Sequence, residues 1–234
     1  MESETTFLDK IRILDQTTLK LIAIVSMAID HCGAVFFPQA IWMRLVGRIA
    51  MPIFCFFVAE GYRLSSDRPR YLLRMGIFAL ISEIPFDMAL FEGRIGFEYQ
   101  NVMWTFFFAI LALMAYNKIK ELVKGLPGRL LGALASIAVA FLALLLSTDY
   151  SAYGVGLVLI FYVMYEKGLL AQNAVAALYQ IATSGQSPQS YAVISAVPLM
   201  MYNGKKGKGF KWFFYSFYPL HLTIIWILRD YVLG

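Results

Sequence analysis

The chain has 234 residues, of which 60% are hydrophobic and only 15% are charged, and its formal net charge is +5. Soluble domains are about 45–50% apolar and about 25% charged, so this composition excludes an ordinary soluble domain. The apolar runs are long and continuous, which favours membrane helices over the alternating strands of a closed barrel. The sequence therefore predicts an all-α, polytopic integral membrane protein.

Nine apolar segments follow a mixed N-terminal stretch. Residues 1–16 place apolar side chains on one helical face, so we expect a short interfacial helix there. Some of the nine segments are shorter than the roughly 17 residues that a perpendicular span requires. The whole chain, 1–234, is interpreted as one transmembrane domain with about nine spans. The segments cover residues 19–37, 41–63, 70–91, 101–116, 129–146, 153–165, 169–184, 190–203 and 212–232.

The lysines and arginines indicate the orientation of the chain in the membrane. With the N-terminus in the cytoplasm, sixteen of the 20 basic residues fall on inner segments and four fall on outer ends. This asymmetry predicts an N-terminus inside, a C-terminus outside and an odd number of spans. The positive net charge is accordingly attributed to a basic cytoplasmic face, and no nucleic-acid partner is expected.

A carboxylate and an imidazole stand side by side in the first span, at Asp30 and His31. An aspartate at the centre of a span costs about 2.5–3.5 kcal/mol on insertion scales, so Asp30 requires a partner. Arg44 and Arg48 are spaced i, i+4 and share one face of the second segment. Either arginine is predicted to pair with Asp30.

Further polar residues lie in later segments. Glu83 and Asp87 repeat the i, i+4 spacing in the third segment, Asn101 opens the fourth, and His221 follows Tyr218 in the last. On the predicted topology, the charges of the first three segments lie at similar depth. Two interpretations stay open, namely a static network of ion pairs and a polar cavity that serves chemistry or transport.

Four prolines lie inside these segments, at positions 52, 85, 198 and 219. Each removes one backbone hydrogen bond and leaves the carbonyl oxygen four residues earlier without its helical donor. Kinks that serve only packing and kinks that line a polar cavity remain alternatives.

The predicted cytoplasmic loops are strongly basic. Positive-inside topology and contact with anionic lipid explain this composition, and a docking surface for a phosphate-bearing donor explains it as well. The two cysteines, Cys32 and Cys55, are predicted at different depths, so neither a disulfide nor a metal site is expected. The residues considered for donor binding are Glu60, Arg63, Arg70, Arg74, Lys205 and Lys206.

Five stretches together resemble the TraX family: "LKLIAIVSMAIDH", "RLVGRIAMPIFCFFVAEGY", "YLLRMGIFALISEIPFD", "NVMWTF" and "FYSFYPLHLTIIW". They occur in the family's order and cover most of the chain. The resemblance implies a polytopic acetyltransferase of the bacterial cytoplasmic (inner) membrane, since TraX is known for N-acetylating the amino terminus of conjugative pilin. The stretch "FFVAEGY…YLLR" is also similar to the wider acyltransferase-3 group, which transfers acyl groups from a cytoplasmic donor to acceptors such as glycans.

The resemblance also implies roles for residues at motif positions. Arg74 matches one arginine of the paired-arginine motif of the wider group, but Phe78 stands where the second basic residue would lie. This departure weakens the transfer of that group's donor-binding scheme. The positions carried over from the family are Asp30, His31, Arg44, Arg48 and His221.

We therefore expect an acyltransferase that moves an acetyl group from acetyl-CoA to an amine or hydroxyl of a protein or glycan acceptor. His31 is the expected general base, oriented by Asp30 or another carboxylate, and Arg44 or Arg48 steadies the oxyanion. His221 is a second candidate for the base, or an acyl carrier. A small transporter or channel and a non-enzymatic assembly factor remain alternatives. The residues expected to bind the acceptor are Glu83, Asp87, Asn101 and Tyr218.

Overall fold

The computed structural model describes residues 10–91, 96 and 98–233, and every regular element within these ranges is helical. The interfacial helix expected in 1–16 falls mostly on residues 1–9, which lie outside the described residues. Two 3₁₀-helices, Tyr165–Lys167 and Pro188–Ser195, and a terminal π-helix, Leu228–Leu233, accompany the α-helices. The α-helices are α1 (Gln16–Phe36), α2 (Ile41–Gly47), α3 (Ala50–Leu64), α4 (Arg68–Leu90), α5 (Val102–Leu122), α6 (Gly125–Leu145), α7 (Ser151–Val163), α8 (Leu169–Ser184), α9 (Ala196–Met200) and α10 (Lys211–Ile227).

Four helical segments within the described residues are long and apolar enough to cross a membrane: Gln16–Phe36, Ile41–Leu64, Val102–Leu122 and Gly125–Leu145. The remaining long helix, α4, has 23 residues but carries charged side chains at both ends, which lowers its hydropathy. The all-α prediction is confirmed for the described ranges. The nine spans and the orientation of the termini stay predictions.

The second predicted segment is helical but interrupted. α2 ends at Gly47 and α3 begins at Ala50, so Arg48 and Ile49 form a turn between them. Pro52 cannot donate a backbone hydrogen bond to the carbonyl of Arg48, and this missing bond accounts for a break at this point. Of the other three prolines named above, Pro85 and Pro219 lie inside continuous helices, and Pro198 lies in the short helix α9.

The prediction of an α-helical segment over 190–203 is wrong for most of that range. Residues Pro188–Ser195 form a 3₁₀-helix, and only Ala196–Met200 is α-helical. The hydroxyl of Ser190 donates to the backbone carbonyl of Ser187 at 2.8 Å. Such local side-chain bonds compete with the i, i+4 bonding of an α-helix.

The chain divides into two compact units. The first unit comprises Met1–Phe54 and Met164–Tyr215, and the second comprises Cys55–Val163 and Ser216–Gly234. In the first unit α1 packs against α2, and the second 3₁₀-helix packs against α2 and α8. In the second unit α5 is central, because α4, α6 and α7 all pack against it.

Small residues bring α6 close to the preceding helix. Added to Gly132, a Cβ atom would lie 3.0 Å from the Tyr116 side chain, and the Ser136 hydroxyl donates to the Ala112 carbonyl at 3.1 Å. At Gly128 a Cβ atom would lie 1.6 Å from the Val123 carbonyl oxygen, so no side chain fits there. The side chains on the remaining surface of α6 are large and exposed: Leu130, Leu131, Leu134, Ile137, Phe141 and Leu145.

Candidate functional site

Asp30 is buried on α1 and forms ion pairs with two arginines. Its Oδ2 lies 2.5 Å from Arg44 Nη1, and its Oδ1 lies 2.7 Å from Arg48 Nη2. Arg44 Nη1 also donates to the Asp30 backbone carbonyl at 3.0 Å. The pairing of Asp30 with an arginine of the second segment is confirmed, and both arginines take part.

Glycine allows α2 to approach α1 at this ion-pair cluster. Added to Gly47, a Cβ atom would lie 2.2 Å from the Cβ of Asp30. Arg48 occupies the turn after α2, where its Nε donates to the Arg44 carbonyl at 3.2 Å and its Nη1 donates to Gln189 Oε1 at 3.2 Å. Gln189 was not predicted from the sequence, because nothing in the polar stretch around it distinguishes a glutamine that contacts an arginine 141 positions away.

The three charged side chains of this cluster sum to a net charge of +1. The exposed fraction of the side chain is 9% for Asp30, 15% for Arg48 and 38% for Arg44. Arg44 is therefore the member best placed to contact an anion or a developing oxyanion, while Arg48 is mostly enclosed by its protein partners.

His31 is half-buried on α1, next to Asp30 in sequence. Consecutive residues of an α-helix point about 100° apart, so His31 does not share the face that Asp30 presents to α2. Its orientation by Asp30 stays a prediction, as does its role as general base.

A second polar cluster joins α4 to the start of α5 in the other unit. Glu83 Oε2 accepts hydrogen bonds from Asn101 Nδ2 at 2.5 Å and from Trp104 Nε1 at 2.8 Å. Asn101 Nδ2 also donates to the Ala79 carbonyl at 2.8 Å, while its Oδ1 accepts the Met103 N–H at 3.0 Å and so caps α5. Asn101 thus caps the N-terminus of α5 and holds the Glu83 carboxylate in position.

The other carboxylate oxygen of Glu83 is less well satisfied. Oε1 is buried, and no donor among the described residues hydrogen-bonds to it. Buried polar atoms nearly always have a partner, so this oxygen is free to accept a hydrogen bond from a donor outside the described residues, such as water or a bound molecule.

The loop between α6 and α7 packs against the first turn of α5. The hydroxyl of Thr105 lies 3.0 Å from that of Thr148 and hydrogen-bonds the Asp149 backbone carbonyl. The Tyr99 hydroxyl donates to Asp149 Oδ1 at 3.2 Å. Asp149 was missed in the sequence analysis, although the stretch "STDYS" between two apolar segments marks it as a polar interruption.

The backbone of this loop is strained. Ser147, Tyr150 and Ser151 have φ values of 50°, 60° and 43°, a region that L-residues other than glycine rarely adopt. Each such residue costs on the order of 1–3 kcal/mol, and strain of this kind is frequent at functional sites. The hydrogen bonds to Thr105 and Tyr99 hold the loop in this conformation.

Tyr218 on α10 completes the second cluster. It is buried, its hydroxyl lies near the backbone N–H of Val102, and it interacts electrostatically with Glu83 and Asp149. We call Glu83, Asn101, Trp104, Asp149 and Tyr218 the α5 cluster.

Three of the four residues predicted to bind the acceptor, Glu83, Asn101 and Tyr218, therefore lie together. The fourth, Asp87, lies one turn further along α4, where it accepts the Gly96 N–H at 3.1 Å.

His221 is buried on α10, one turn after Tyr218. Its Nδ1 lies 2.8 Å from the Phe217 carbonyl oxygen, and its ring stacks on Phe217 with centroids 4.9 Å apart. A carbonyl oxygen only accepts hydrogen bonds, so Nδ1 carries the proton and the lone pair of the neutral ring resides on Nε2. A general base requires this tautomer when Nε2 faces its substrate.

The residues predicted to bind the donor do not all belong to one unit. Glu60, Arg63 and Arg74 are half-buried in the second unit, while Lys205 and Lys206 are exposed in the first. Arg70 is exposed as well, and its Nε pairs with Asp67 Oδ2 at 3.0 Å.

Arg74 lies against an aromatic ring, with its guanidinium 5.7 Å from the Tyr71 ring centroid. Its Nε is buried without an acceptor among the described residues, so it retains one hydrogen bond to offer. Within the part of the chain that the structure describes, no group of three or more His, Cys, Asp or Glu side chains is arranged to hold a metal ion.

Both polar clusters lie within the part of the chain that known proteins share. The model of one family, described as TraX protein, matches residues 15–229. The chain belongs to the TraX family. The resemblance that the five sequence stretches carry is thereby confirmed, while the link to the acyltransferase-3 group stays a prediction.

Two known proteins are similar to different shares of this chain. The "Probable fimbrial assembly protein FimC, serogroup H1" of Dichelobacter nodosus is 30% identical over 236 residues, covering 88% of this chain and 92% of that protein. The "Uncharacterized protein RP591" of Rickettsia prowazekii (strain Madrid E) is 44% identical over 69 residues, covering 30% of this chain and 26% of that protein. No solved structure matches the chain.

Proposed function

We propose that this TraX-family protein is an acyltransferase of the bacterial inner membrane that moves an acetyl group from cytoplasmic acetyl-CoA to an amine or hydroxyl acceptor. The observation that carries the proposal is the α5 cluster, in which a buried carboxylate oxygen of Glu83 accepts no hydrogen bond from any residue that the structure describes. An ammonium or hydroxyl group of an acceptor supplies such a donor. A pilin amino terminus, a cell-envelope glycan and an amino sugar all carry one, and the name of the FimC relative, which refers to fimbrial assembly, favours pilin.

The transfer requires a base and a stabiliser for the oxyanion. The acceptor nitrogen or oxygen attacks the thioester carbonyl, its proton passes to the base, and the thiolate of CoA leaves and takes up a proton. We assign the base to His31 and the stabilisation of the oxyanion to Arg44, the more exposed of the two arginines that pair with Asp30. His221 is the alternative base, because its tautomer leaves the lone pair on Nε2.

The donor is anionic, and we assign it to the basic residues at the start of α4. Arg74 offers a buried N–H that has no acceptor within the described ranges, and Arg70 offers an exposed guanidinium. Arg63 and Glu60 lie half-buried on α3 nearby in sequence. This assignment includes a cytoplasmic location for the α3–α4 connection, in keeping with the nine-span topology that we propose, with the N-terminus inside and the C-terminus outside.

A non-enzymatic role in pilus assembly is the second candidate, favoured by the name of the FimC relative. One assay distinguishes the enzymatic role from the assembly role. Purified full-length protein in detergent is incubated with acetyl-CoA and candidate acceptors, and release of the CoA thiol is measured. We expect thiol release that depends on the acceptor and falls strongly in Glu83→Gln. Absence of release with every acceptor, together with unchanged acetylation of the cell envelope by mass spectrometry when the protein is deleted, would support the assembly role.

A further inference from the structure

The loop between α9 and α10 is fastened to the start of α1 by backbone hydrogen bonds. Leu14 N–H donates to the Met201 carbonyl at 2.9 Å, and Asn203 N–H donates to the Leu14 carbonyl at 2.9 Å. Gln16 N–H donates to the carbonyl of Lys205 at 2.8 Å. We call residues 203–210, with the sequence "NGKKGKGF", the lysine loop.

Two further contacts hold the lysine loop in place. The Thr17 hydroxyl lies 3.2 Å from the Lys206 carbonyl and 3.1 Å from the Lys208 carbonyl. Gly207 has a φ of 67°, and a Cβ atom added there would lie 2.5 Å from Asp15 Oδ2. The loop backbone therefore faces α1 through its carbonyl groups, in a conformation that requires glycine.

The lysine residues of the loop are exposed to the surroundings. Lys205, Lys206 and Lys208 are all exposed, so three ammonium groups are presented on one short, anchored segment. The nearby carboxylate of Asp15 accepts the Thr18 backbone N–H at 2.8 Å, and this hydrogen bond lowers the pKa of Asp15. The negative charge of Asp15 therefore lies at the N-terminus of α1, where the helix dipole stabilises a negative charge.

Large aromatic side chains adjoin the lysines. Phe210, Trp212 and Phe213 are 55%, 62% and 49% exposed, respectively. Aromatic residues are enriched at the level of lipid headgroups, and lysines near a membrane surface are attracted to anionic lipids. A soluble phosphate compound would use only the lysines, whereas a lipid would contact both the lysines and the aromatic rings.

We infer that the lysine loop is a binding site for anionic phospholipid, in which the ammonium groups contact headgroup phosphates and the aromatic side chains enter the interfacial layer. This site is independent of the acyl transfer proposed above. It gives Lys205 and Lys206 a partner other than the acyl donor. The fastening of the loop to α1 presents the lysines together, so part of the affinity comes from preorganisation.

Nanodiscs of phosphatidylcholine with a minor fraction of labelled phosphatidylglycerol test this site in the full-length protein. We measure enrichment of the labelled lipid around the protein, and native mass spectrometry counts the lipids retained after extraction. The combined change of Lys205, Lys206 and Lys208 to Gln should lower the affinity for phosphatidylglycerol about tenfold or more. The matched change of Lys118, Lys120 and Lys124 to Gln, which removes the same charge from an exposed stretch, should lower it far less.

A further variant separates preorganisation from bulk charge. Thr17→Val removes the hydroxyl contact to the loop while keeping every lysine, and we expect a smaller but measurable loss of lipid retention. Equal losses in the two triple variants would overturn the inference, because they would show a generic charge effect. Competition of the bound lipid by free CoA would also overturn it and return the lysines to the donor.

Discussion

Asp30 and Arg48 lie 18 positions apart and form an ion pair of 2.7 Å at the point where the second membrane segment breaks. The break follows from Pro52, and it leaves Arg48 in a turn from which its guanidinium reaches back to α1. A charge in a predicted span is thus paired within the protein.

Loss of this carboxylate is expected to destabilise the protein. Asp30→Asn leaves two guanidinium groups without their counter-ion, and that of Arg48 is mostly enclosed; removal of one partner of a buried ion pair costs about 3–5 kcal/mol. The melting temperature in detergent should fall clearly. Asp67→Asn is the control, because the Asp67–Arg70 pair is exposed and such pairs contribute about 0–1 kcal/mol. Equal effects of the two changes would show that the Asp30 pairs carry little stability.

The identity of the base is tested by two histidine variants. His31→Gln keeps a polar side chain without a basic nitrogen, so kcat should fall by about 10²–10⁴ while the melting temperature is retained. His221→Asn keeps a donor for the Phe217 carbonyl but removes the Nε2 lone pair. Near-native turnover in His31→Gln, combined with a dead His221→Asn, would move the base to His221.

Acceptor binding is tested at Glu83. Glu83→Gln removes the negative charge but preserves an oxygen that accepts from Asn101 and Trp104. The KM for an amine acceptor should rise about tenfold or more, because hydrogen bonds to charged groups are worth about 1.5–3 kcal/mol. The KM for acetyl-CoA should not change. Asp87→Asn makes the same charge change one turn away, where the carboxylate already accepts from Gly96, and should have the smaller effect. A reversed order would place the acceptor near Asp87.

Donor binding is tested by neutralising Arg70 and Arg74 together with glutamine. We expect a higher KM for acetyl-CoA and a weaker dependence of that KM on salt, since exposed charges are screened within about 8–10 Å at physiological ionic strength. The Lys118→Gln/Lys120→Gln variant serves as the control for net charge. An unchanged KM would assign the arginines to topology or lipid contact.

Membrane topology is tested by single cysteines in a background without Cys32 and Cys55. A cysteine at position 187 should react with an impermeant maleimide in intact cells, because Ser187 precedes the eighth predicted segment on the outer side. A cysteine at position 206 should react only after the membrane is permeabilised. Labelling of position 206 alone in intact cells would reject the nine-span map.

Local rules explain which elements the sequence could predict. Pro38 fixes the end of α1, which stops at Phe36, and Asn101 caps α5 at the predicted start of the fourth segment. The Asp30 ion pairs were predictable because a charge in a span must find a partner. The TraX resemblance rested on five stretches, all within the residues that the family model matches.

The missed elements depend on contacts between distant segments. Gln189 and Asp149 acquire their roles only when a 3₁₀-helix meets α2 and a strained loop meets α5. The 3₁₀-helix itself was predicted as an α-helix, because hydropathy does not distinguish the two forms. Glu83 and Asp87 are four residues apart on one helix, so the sequence pattern does not distinguish them. Their environments differ because Glu83 contacts Asn101 at the start of α5, whereas Asp87 accepts the Gly96 N–H.

The close contact of α5 and α6 has a consequence for biogenesis. Only Val123 and Lys124 separate the two helices, and Gly132 and Ser136 bring their backbones together. Small residues four positions apart often form the interface between two membrane helices of separate chains. Here Gly132 and Ser136 contact a helix of the same chain instead. We expect the two helices to leave the translocation machinery as a preformed hairpin, with the leucines of α6 already turned to lipid. A bulky residue at position 132 would then act during insertion, by lowering the amount of protein that reaches the membrane.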